Sequence, residues 1–99
     1  MEFSVGKNAQ DNWRIINESD DEWLWFHLNS FPSCHVIIKS CNPSTEEILE
    51  AARICKRNSK YKNVRNIKVV YTHVKNLRYG DEPGSVNIIS KRRCNYVID

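Results

Sequence analysis

The sequence lacks any apolar run that approaches the roughly 20 residues of a membrane-spanning helix, and its opening segment lacks the apolar core of a signal peptide. The four cysteines, at positions 34, 41, 55 and 94, form no CxxC pair. We therefore expect free thiols and a cytoplasmic location rather than disulfides. No internal repeat or low-complexity tract is present, so the 99 residues are expected to form a single domain, 1–99, with one core.

Acidic residues are absent from the stretch between Ala51 and Gly80, which contains nine Lys and Arg residues. Residues 1–50 hold three basic and nine acidic residues, whereas residues 51–99 hold twelve basic and three acidic residues. A stretch with charge of one sign indicates a polyanionic partner, most simply nucleic acid. The alternative is a solvated surface whose charge the acidic half balances in the fold.

The most apolar stretch, residues 23–38, predicts a β-hairpin. Side chains alternate along a strand, so residues 24, 26 and 28 form an apolar row, and the opposite row is Trp23, Trp25 and His27. A second strand over residues 34–39 follows a five-residue connection, which suits an antiparallel hairpin with His27 and His35 near its turn. The Trp/Trp/His row could stack unpaired bases; the alternative is that the second helix covers it and the indoles are core.

Two helices are expected. The first covers residues 8–16, and the second begins at Ser44, where Glu47 completes a capping box. Further strands are predicted at residues 2–5, 67–71, 85–89 and 95–98, with a loop at 75–84 and a turn at 90–93. The fold class is therefore α+β, a mostly antiparallel sheet of about five or six strands with two helices in the order β-α-β-β-α-β-β-β.

Six short motifs occur in an order that resembles the NFACT-R family, the RNA-binding module of the NEMF/fibronectin-binding-protein-A/Caliban proteins. They span almost the whole chain and are Gly6-Lys7-Asn8 with Asn12, Trp25-Phe26-His27, Pro32 to Ile38, Glu50-Ala51-Ala52 with Asn58-Ser59-Lys60, Val70-Tyr71-Thr72, and Gly80 to Val86. The sequence departs from the family at Trp23, where an acid is usual, and at Ser33, where glycine is usual. Any role that needs that acid is therefore not expected here.

The resemblance implies a non-catalytic RNA-binding module, possible partners being tRNA or ribosomal RNA, with DNA as an alternative and with a ribosome-associated role. The residues expected at the nucleic-acid surface are Lys7, Asn8, Trp25, His27, His35, Arg53, Lys56, Arg57, Lys60 and Lys62. The alternatives are an adaptor that docks on a ribosome or another protein, and a small ribonuclease that uses His27 and His35 as base and acid.

No cofactor or metal is expected. Cys34, His35, Cys41 and Cys55 have no recognised zinc spacing, and Cys34 and His35 are neighbours that face opposite sides of a strand, which disfavours a nucleophile–base pair. The segment from Gly80 to Gly84 lacks the lysine and hydroxyl of a phosphate-binding loop and predicts a turn instead.

Overall fold

The computed structural model describes residues 2–89 and 93–98. Along these residues the elements are β1 (Phe3–Val5), α1 (Ala9–Asn17), β2 (Leu24–Leu28), β3 (Val36–Ile38), α2 (Thr45–Arg57), β4 (Ile67–His73), a 3-10 turn (Val74–Asn76), β5 (Leu77–Tyr79), β6 (Val86–Ile88) and β7 (Cys94–Ile98). The predicted α+β class and element order are confirmed. One short strand, β5, is additional and lies inside the segment 75–84 that the sequence predicts as a loop.

Five strands form one antiparallel sheet in the order β1-β3-β2-β4-β7. The predicted hairpin is β2–β3, in which Leu24 pairs with Ile38 and Phe26 pairs with Val36. The hairpin occupies the middle of the sheet because β1 covers the outer edge of β3 and β4 pairs with β2. Its turn therefore lies at one end of the sheet, and Lys39 and His73 lie at the other.

The strand alternation separates two cores, one on each face of the sheet. Leu24, Phe26 and Leu28 pack with Ala52 and Cys55 of α2. On the opposite face, Trp25, Ile37 and Val70 pack with Ile15 and Ile16 of α1, with Val74 of the 3-10 turn and with Leu77 of β5. The two helices thus lie on opposite faces, which makes a three-layer arrangement around the central hairpin.

Both helices begin at side-chain caps, of which the sequence predicts the one at Ser44. The Ser44 hydroxyl accepts from the Glu47 amide at 3.2 Å, and the Glu47 carboxylate accepts from the Ser44 amide at 2.7 Å. Asn8 caps α1, where its side-chain oxygen accepts from the Asp11 amide at 2.8 Å. These contacts satisfy amides that have no partner within the helix. Neither described helix has the length and apolar content to cross a bilayer.

The last two strands lie in different sheets. β6 pairs with β5, whereas β7 pairs with β4 at the edge of the main sheet. The predicted turn at 80–84 is present: the Gly80 amide donates to the Ser85 carbonyl at 2.9 Å, and Gly84 has a φ of 86°. This turn closes the β5–β6 hairpin. Of the turn predicted at 90–93, residues 90–92 lie outside the described residues.

Candidate functional site

A cleft of about 800 Å³ opens at the end of the sheet where the β2–β3 hairpin turns. Four chain segments surround it: residues 5–9 before and at the start of α1, residues 32–35 of the hairpin, residues 58–61 after α2, and residues 83–85 of the β5–β6 turn. His27 and Asn12 complete the lining. The cleft thus adjoins both helices, the central hairpin and the smaller sheet, and five of the six sequence motifs contribute to it.

Gly6 allows α1 to approach the central hairpin closely. Its amide donates to the His35 carbonyl at 2.9 Å, and the His35 amide donates to the Asn12 side-chain oxygen at 3.3 Å. A Cβ atom on Gly6 would lie 1.7 Å from that same Asn12 oxygen. Any larger residue at position 6 would therefore displace the Asn12 side chain, whose oxygen links α1 to the His35 amide. The contact between Gly6 and Asn12 thus positions this wall of the cleft.

The β5–β6 turn is fixed against α1 in a similar way. The Trp13 indole N–H donates to the Ser85 carbonyl at 2.8 Å. Gly84 has a left-handed backbone, and a Cβ atom there would lie 2.8 Å from the Ala9 Cα. Glycine is needed at this position for both reasons. The turn therefore forms a fixed wall of the cleft rather than a loose loop.

Three aromatic rings lie beneath the cleft. Trp25 stacks on His27 with ring centroids 5.8 Å apart, and His35 meets both rings edge to face, at 5.4 Å from Trp25 and 5.0 Å from His27. Trp25 and His35 are each only 3% exposed, whereas His27 is half-buried and faces the cleft. The hairpin therefore brings His27 and His35 together near its turn, as predicted.

Both imidazoles are held in the neutral form. Burial lowers the pKa of His27, although the Leu28 carbonyl, which accepts from Nδ1 at 2.7 Å, partly opposes that shift. Because a carbonyl only accepts, Nδ1 carries the proton and Nε2 is left as an acceptor. Burial, with the neighbouring His27, lowers the pKa of His35 to about 3. His35 Nδ1 is buried without a hydrogen-bond partner among the described residues.

The expected cations are distributed unequally. Lys7 and Lys60 line the cleft with Asn8, and they approach it from the α1 and α2 sides respectively. Exposed cations of α2 and the following loop lie outside its lining; these are Arg53, Arg57 and Lys62. Lys56 is only 8% exposed, so its predicted contact with phosphate is not supported: the position faces the protein interior.

Among residues 2–89 and 93–98, Lys75 is the one cation of the acid-free stretch that pairs with a carboxylate. The ion pairs in this part of the chain join Arg14 to Asp11 and Glu18, Lys39 to Glu2, and Lys75 to Glu22. The acidic half therefore does not neutralise residues 53–65 through direct ion pairs. The charge of the exposed members of this set is available to an external anion; these are Arg53, Arg57, Lys60, Lys62 and Arg65.

The stacking surface proposed for Trp23, Trp25 and His27 does not form. Trp25 is buried by α1 and the start of the β5–β6 hairpin, and Trp23 packs partly buried against the same core. The alternative, in which α2 covers this row, is right that Trp25 is core and wrong about the helix. Helix α2 covers the face of Leu24, and α1 covers the face of Trp25. Trp25 supports the two histidine rings from below instead of contacting a base.

Sequence reasoning missed several residues of the site. Asn58, Ser59 and Tyr61 line the cleft, and Phe31 packs on Tyr61 with ring centroids 4.6 Å apart. The alternation Lys60-Tyr61-Lys62 places an aromatic ring between two cations, which is a composition typical of nucleic-acid surfaces. That signal was available in the sequence. The pairing of Tyr61 with Phe31 was not, because thirty positions separate them.

Cys34 of the cleft wall and buried Cys55 of α2 lie on the face of the sheet opposite to the His35 ring. Cys34 packs against the core that contains Cys55, while His35 contacts rings on the other face of the sheet. Burial raises the pKa of the Cys55 thiol, which keeps it protonated. Within residues 2–89 and 93–98, no three His, Cys, Asp or Glu side chains gather closely enough to hold a metal ion.

The chain is similar to known proteins over most of its length. The family described as NFACT protein RNA binding domain matches residues 3–89. The chain is 34% identical over 92 residues to the Rqc2 homolog RqcH of Bacillus subtilis (strain 168), which covers 88% of the chain and 16% of that protein. It is 28% identical over 81 residues to coiled-coil domain-containing protein 25 of Danio rerio, which covers 75% of the chain and 39% of that protein.

A solved structure has the same fold. The C-terminal part of the fibronectin/fibrinogen-binding protein from Streptococcus suis superposes with a TM-score of 0.88 at 26% identity, covering 97% of this chain and 40% of that one. The chain thus spans well under half the length of each of these three relatives. Since the family match extends over nearly all of the sequence, the chain belongs to the NFACT-R family of RNA-binding domains.

Proposed function

We propose that this domain binds RNA through the cleft at the hairpin end of the sheet, without catalysing a reaction on it. The observation that carries the proposal is that Lys7 and Lys60 line the cleft from the α1 and α2 sides, and that neither ammonium group forms an ion pair within the described residues. The Asp11 carboxylate accepts from the backbone amide of Lys7 at 2.8 Å. Two cations arranged in this way can bind successive phosphates of one strand. Arg57 and Lys62 extend the cationic surface beyond the cleft.

The state of the histidines supports a binding role. A two-histidine ribonuclease needs one imidazole protonated near neutral pH to act as the general acid. The pKa of about 3 for His35 leaves it neutral there. Neutral His27 instead offers Nε2 as an acceptor, which fits a ribose 2′-hydroxyl or a base N–H better than a phosphate.

We propose structured RNA, either tRNA or ribosomal RNA, as the ligand, in a cytoplasmic and ribosome-associated setting. The family resemblance supports this choice. The side chains of the cleft by themselves indicate only a ligand with a sugar–phosphate backbone and with accessible hydroxyl or base N–H groups. Side chains cannot reach the base edges in the deep, narrow groove of an RNA duplex. Loops and single-stranded ends, whose bases are accessible, are therefore the parts of such an RNA that suit a cleft of this size.

The experiment is a titration of fluorescently labelled total tRNA, and separately of a ribosomal RNA fragment, at 50, 100 and 200 mM salt, values chosen at roughly the range over which phosphate contacts respond. Micromolar binding that weakens steadily with salt supports the proposal, as does RNA that is intact after prolonged incubation. No binding at the lowest salt would refute RNA binding, and fragments that disappear in the His27→Ala variant would refute the non-catalytic role.

A further inference from the structure

The aromatic pair beside the cleft, exposed Phe31 and partly buried Tyr61, is the feature that the proposed function leaves unused. Phe31 lies at the tip of the β2–β3 turn and is 41% exposed. The Tyr61 ring lies 4.6 Å from it, centroid to centroid, with the two planes inclined at 39°. Tyr61 also lines the cleft, so the pair stands at the cleft rim.

The turn that carries Phe31 is held in a defined conformation. Ser30 has a φ of 70°, in the left-handed region that residues with a Cβ adopt at some cost. The Leu28 amide donates to the Ser33 hydroxyl at 3.1 Å, and the Asn29 amide donates to the Lys68 carbonyl at 2.9 Å. The ring is therefore presented from an anchored turn, so little conformational entropy is lost when a ligand contacts it.

A second, smaller cleft lies on the other side of the turn. Its volume is about 390 Å³, and it shares His27 and Pro32 with the first cleft. Phe31, Asn87 and Arg93 also line it. Phe31 thus stands between two clefts, each of which has at least one cation: Lys7 and Lys60 in the first, and Arg93 in the second.

This setting suits a nucleic-acid strand better than a protein. The aromatic pair is small compared with the roughly 800 Å² that each partner buries in a stable protein interface, and interface cores are depleted in lysine. Here Lys60 and Lys62 flank the Tyr61 ring in sequence, and Arg93 lies across the turn. Aromatic rings set among cations are the arrangement that binds single strands, in which bases stack while phosphates pair with the surrounding charges.

We infer that Phe31, supported by Tyr61, stacks on an unpaired base of a single-stranded RNA segment whose phosphates on either side lie in the two clefts. The inference rests on the proposed function and names the form of RNA that the site takes. The Phe31–Tyr61 pair replaces the buried Trp25 as the stacking surface. Its contribution is independent of charge, which separates it from the contribution of the lysines.

The test uses two labelled probes of equal length: a ten-nucleotide oligoadenylate and the abasic ribose-phosphate chain, which has the same phosphates and no bases. Wild-type protein should bind the abasic chain more weakly, by about 5-fold to 100-fold, the range expected for one stacked base. Phe31→Ala should lose the same factor on oligoadenylate and should bind both probes alike. Its salt dependence should equal that of the wild type.

Tyr79→Ala is the matched control, because Tyr79 is also an exposed aromatic, at 52%, and it packs on Trp13 and lines neither cleft. It should bind both probes as the wild type does. Phe31→Trp keeps an aromatic face and should retain the preference for oligoadenylate over the abasic chain. It thereby distinguishes the loss of stacking from misfolding of the alanine variant. If Phe31→Ala keeps the preference for oligoadenylate while Lys60→Gln weakens both probes, the inference is wrong and the RNA-binding proposal stands. If neither probe binds to wild type, the proposed function itself fails.

Discussion

The rings of His27 and His35 meet edge to face beneath the cleft, with centroids 5.0 Å apart, and neither carries a charge at neutral pH. Two adjacent imidazolium ions would repel each other in this partly dry setting, and burial further disfavours each charge. The floor of the cleft is therefore neutral and polar, while the positive charge belongs to lysines at its rim. The contribution of the histidines to stability and RNA binding should therefore depend on pH, and the contribution of the lysines to RNA binding should depend on salt concentration.

The stability of the fold should decrease as the pH falls below about 6.5. Unfolded His35 takes up a proton near pH 6.5, whereas folded His35 does so only near pH 3, so the unfolded state is favoured by protons between these values. The slope is at most about 1.4 kcal/mol per pH unit for one group. Urea denaturation at pH 7.5, 6.0, 5.0 and 4.5, values chosen roughly to span this window, should show the loss in wild type. His35→Gln should show a flatter profile; equal profiles would contradict the burial of a neutral His35.

RNA affinity should decrease as the pH falls below about 6.5, the ordinary histidine pKa. Nε2 of half-buried His27 can accept from a ribose hydroxyl or a base N–H only while the ring is neutral, and burial lowers the pKa of the free ring below its usual value. RNA bound to the neutral ring opposes protonation, so a lower pH weakens binding once His27 of the free protein takes up a proton. His27→Gln should abolish this dependence while leaving the salt dependence intact. An affinity that does not change between about pH 7.5 and about pH 5 in wild type would place the RNA away from His27 Nε2.

Glycine substitutions in the cleft wall should destabilise the fold in a predictable order. Gly6→Ala places a Cβ atom against the Asn12 side chain and should cost about 1–3 kcal/mol, because the side chain must move and release the His35 amide. Gly84→Ala should cost more, since its neighbour is the backbone of Ala9 and its φ of 86° is itself unfavourable for alanine. Chemical denaturation of the two variants measures this order. The reverse order would contradict the tight packing of the β5–β6 turn on α1.

Ser44→Ala separates stability from binding. Ser44 caps α2 at the end remote from the cleft, and its loss should cost roughly 1 kcal/mol of unfolding free energy. RNA affinity, measured where the variant is fully folded, should not change. A large change in affinity would mean that the N-terminal end of α2 belongs to the binding surface.

Local signals were sufficient to predict most of the fold. Alternating apolar residues predict β2, and the Ser44–Glu47 capping box predicts the start of α2, because both depend on neighbours in the chain. Strand β5 was missed because its residues follow a 3-10 turn and form a strand only by pairing with β6. The partners of the last two strands could not be predicted either, since strand pairing over long separations leaves no local pattern.

The candidate site was only partly predictable for the same reason. Lys7, Asn8, His27, His35 and Lys60 line the same cleft, and their role at a nucleic-acid surface stays a prediction. The burial of Trp25 depends on which helix covers which face, and the alternation of a strand does not specify the covering helix. The burial of Lys56 follows from the rotation of α2 on the sheet, which a one-sided count of charges does not reveal.

The most direct test of the central claim compares the salt dependence of RNA binding in three proteins. In the Lys7→Gln/Lys60→Gln variant the two cations of the cleft are removed; in Lys75→Gln a lysine at the opposite end of the sheet, paired with Glu22, is removed as the control. The slope of log affinity against log salt should fall in magnitude by about two in the double variant and stay near the wild-type value in Lys75→Gln. Equal slopes in all three proteins would contradict RNA binding through this cleft.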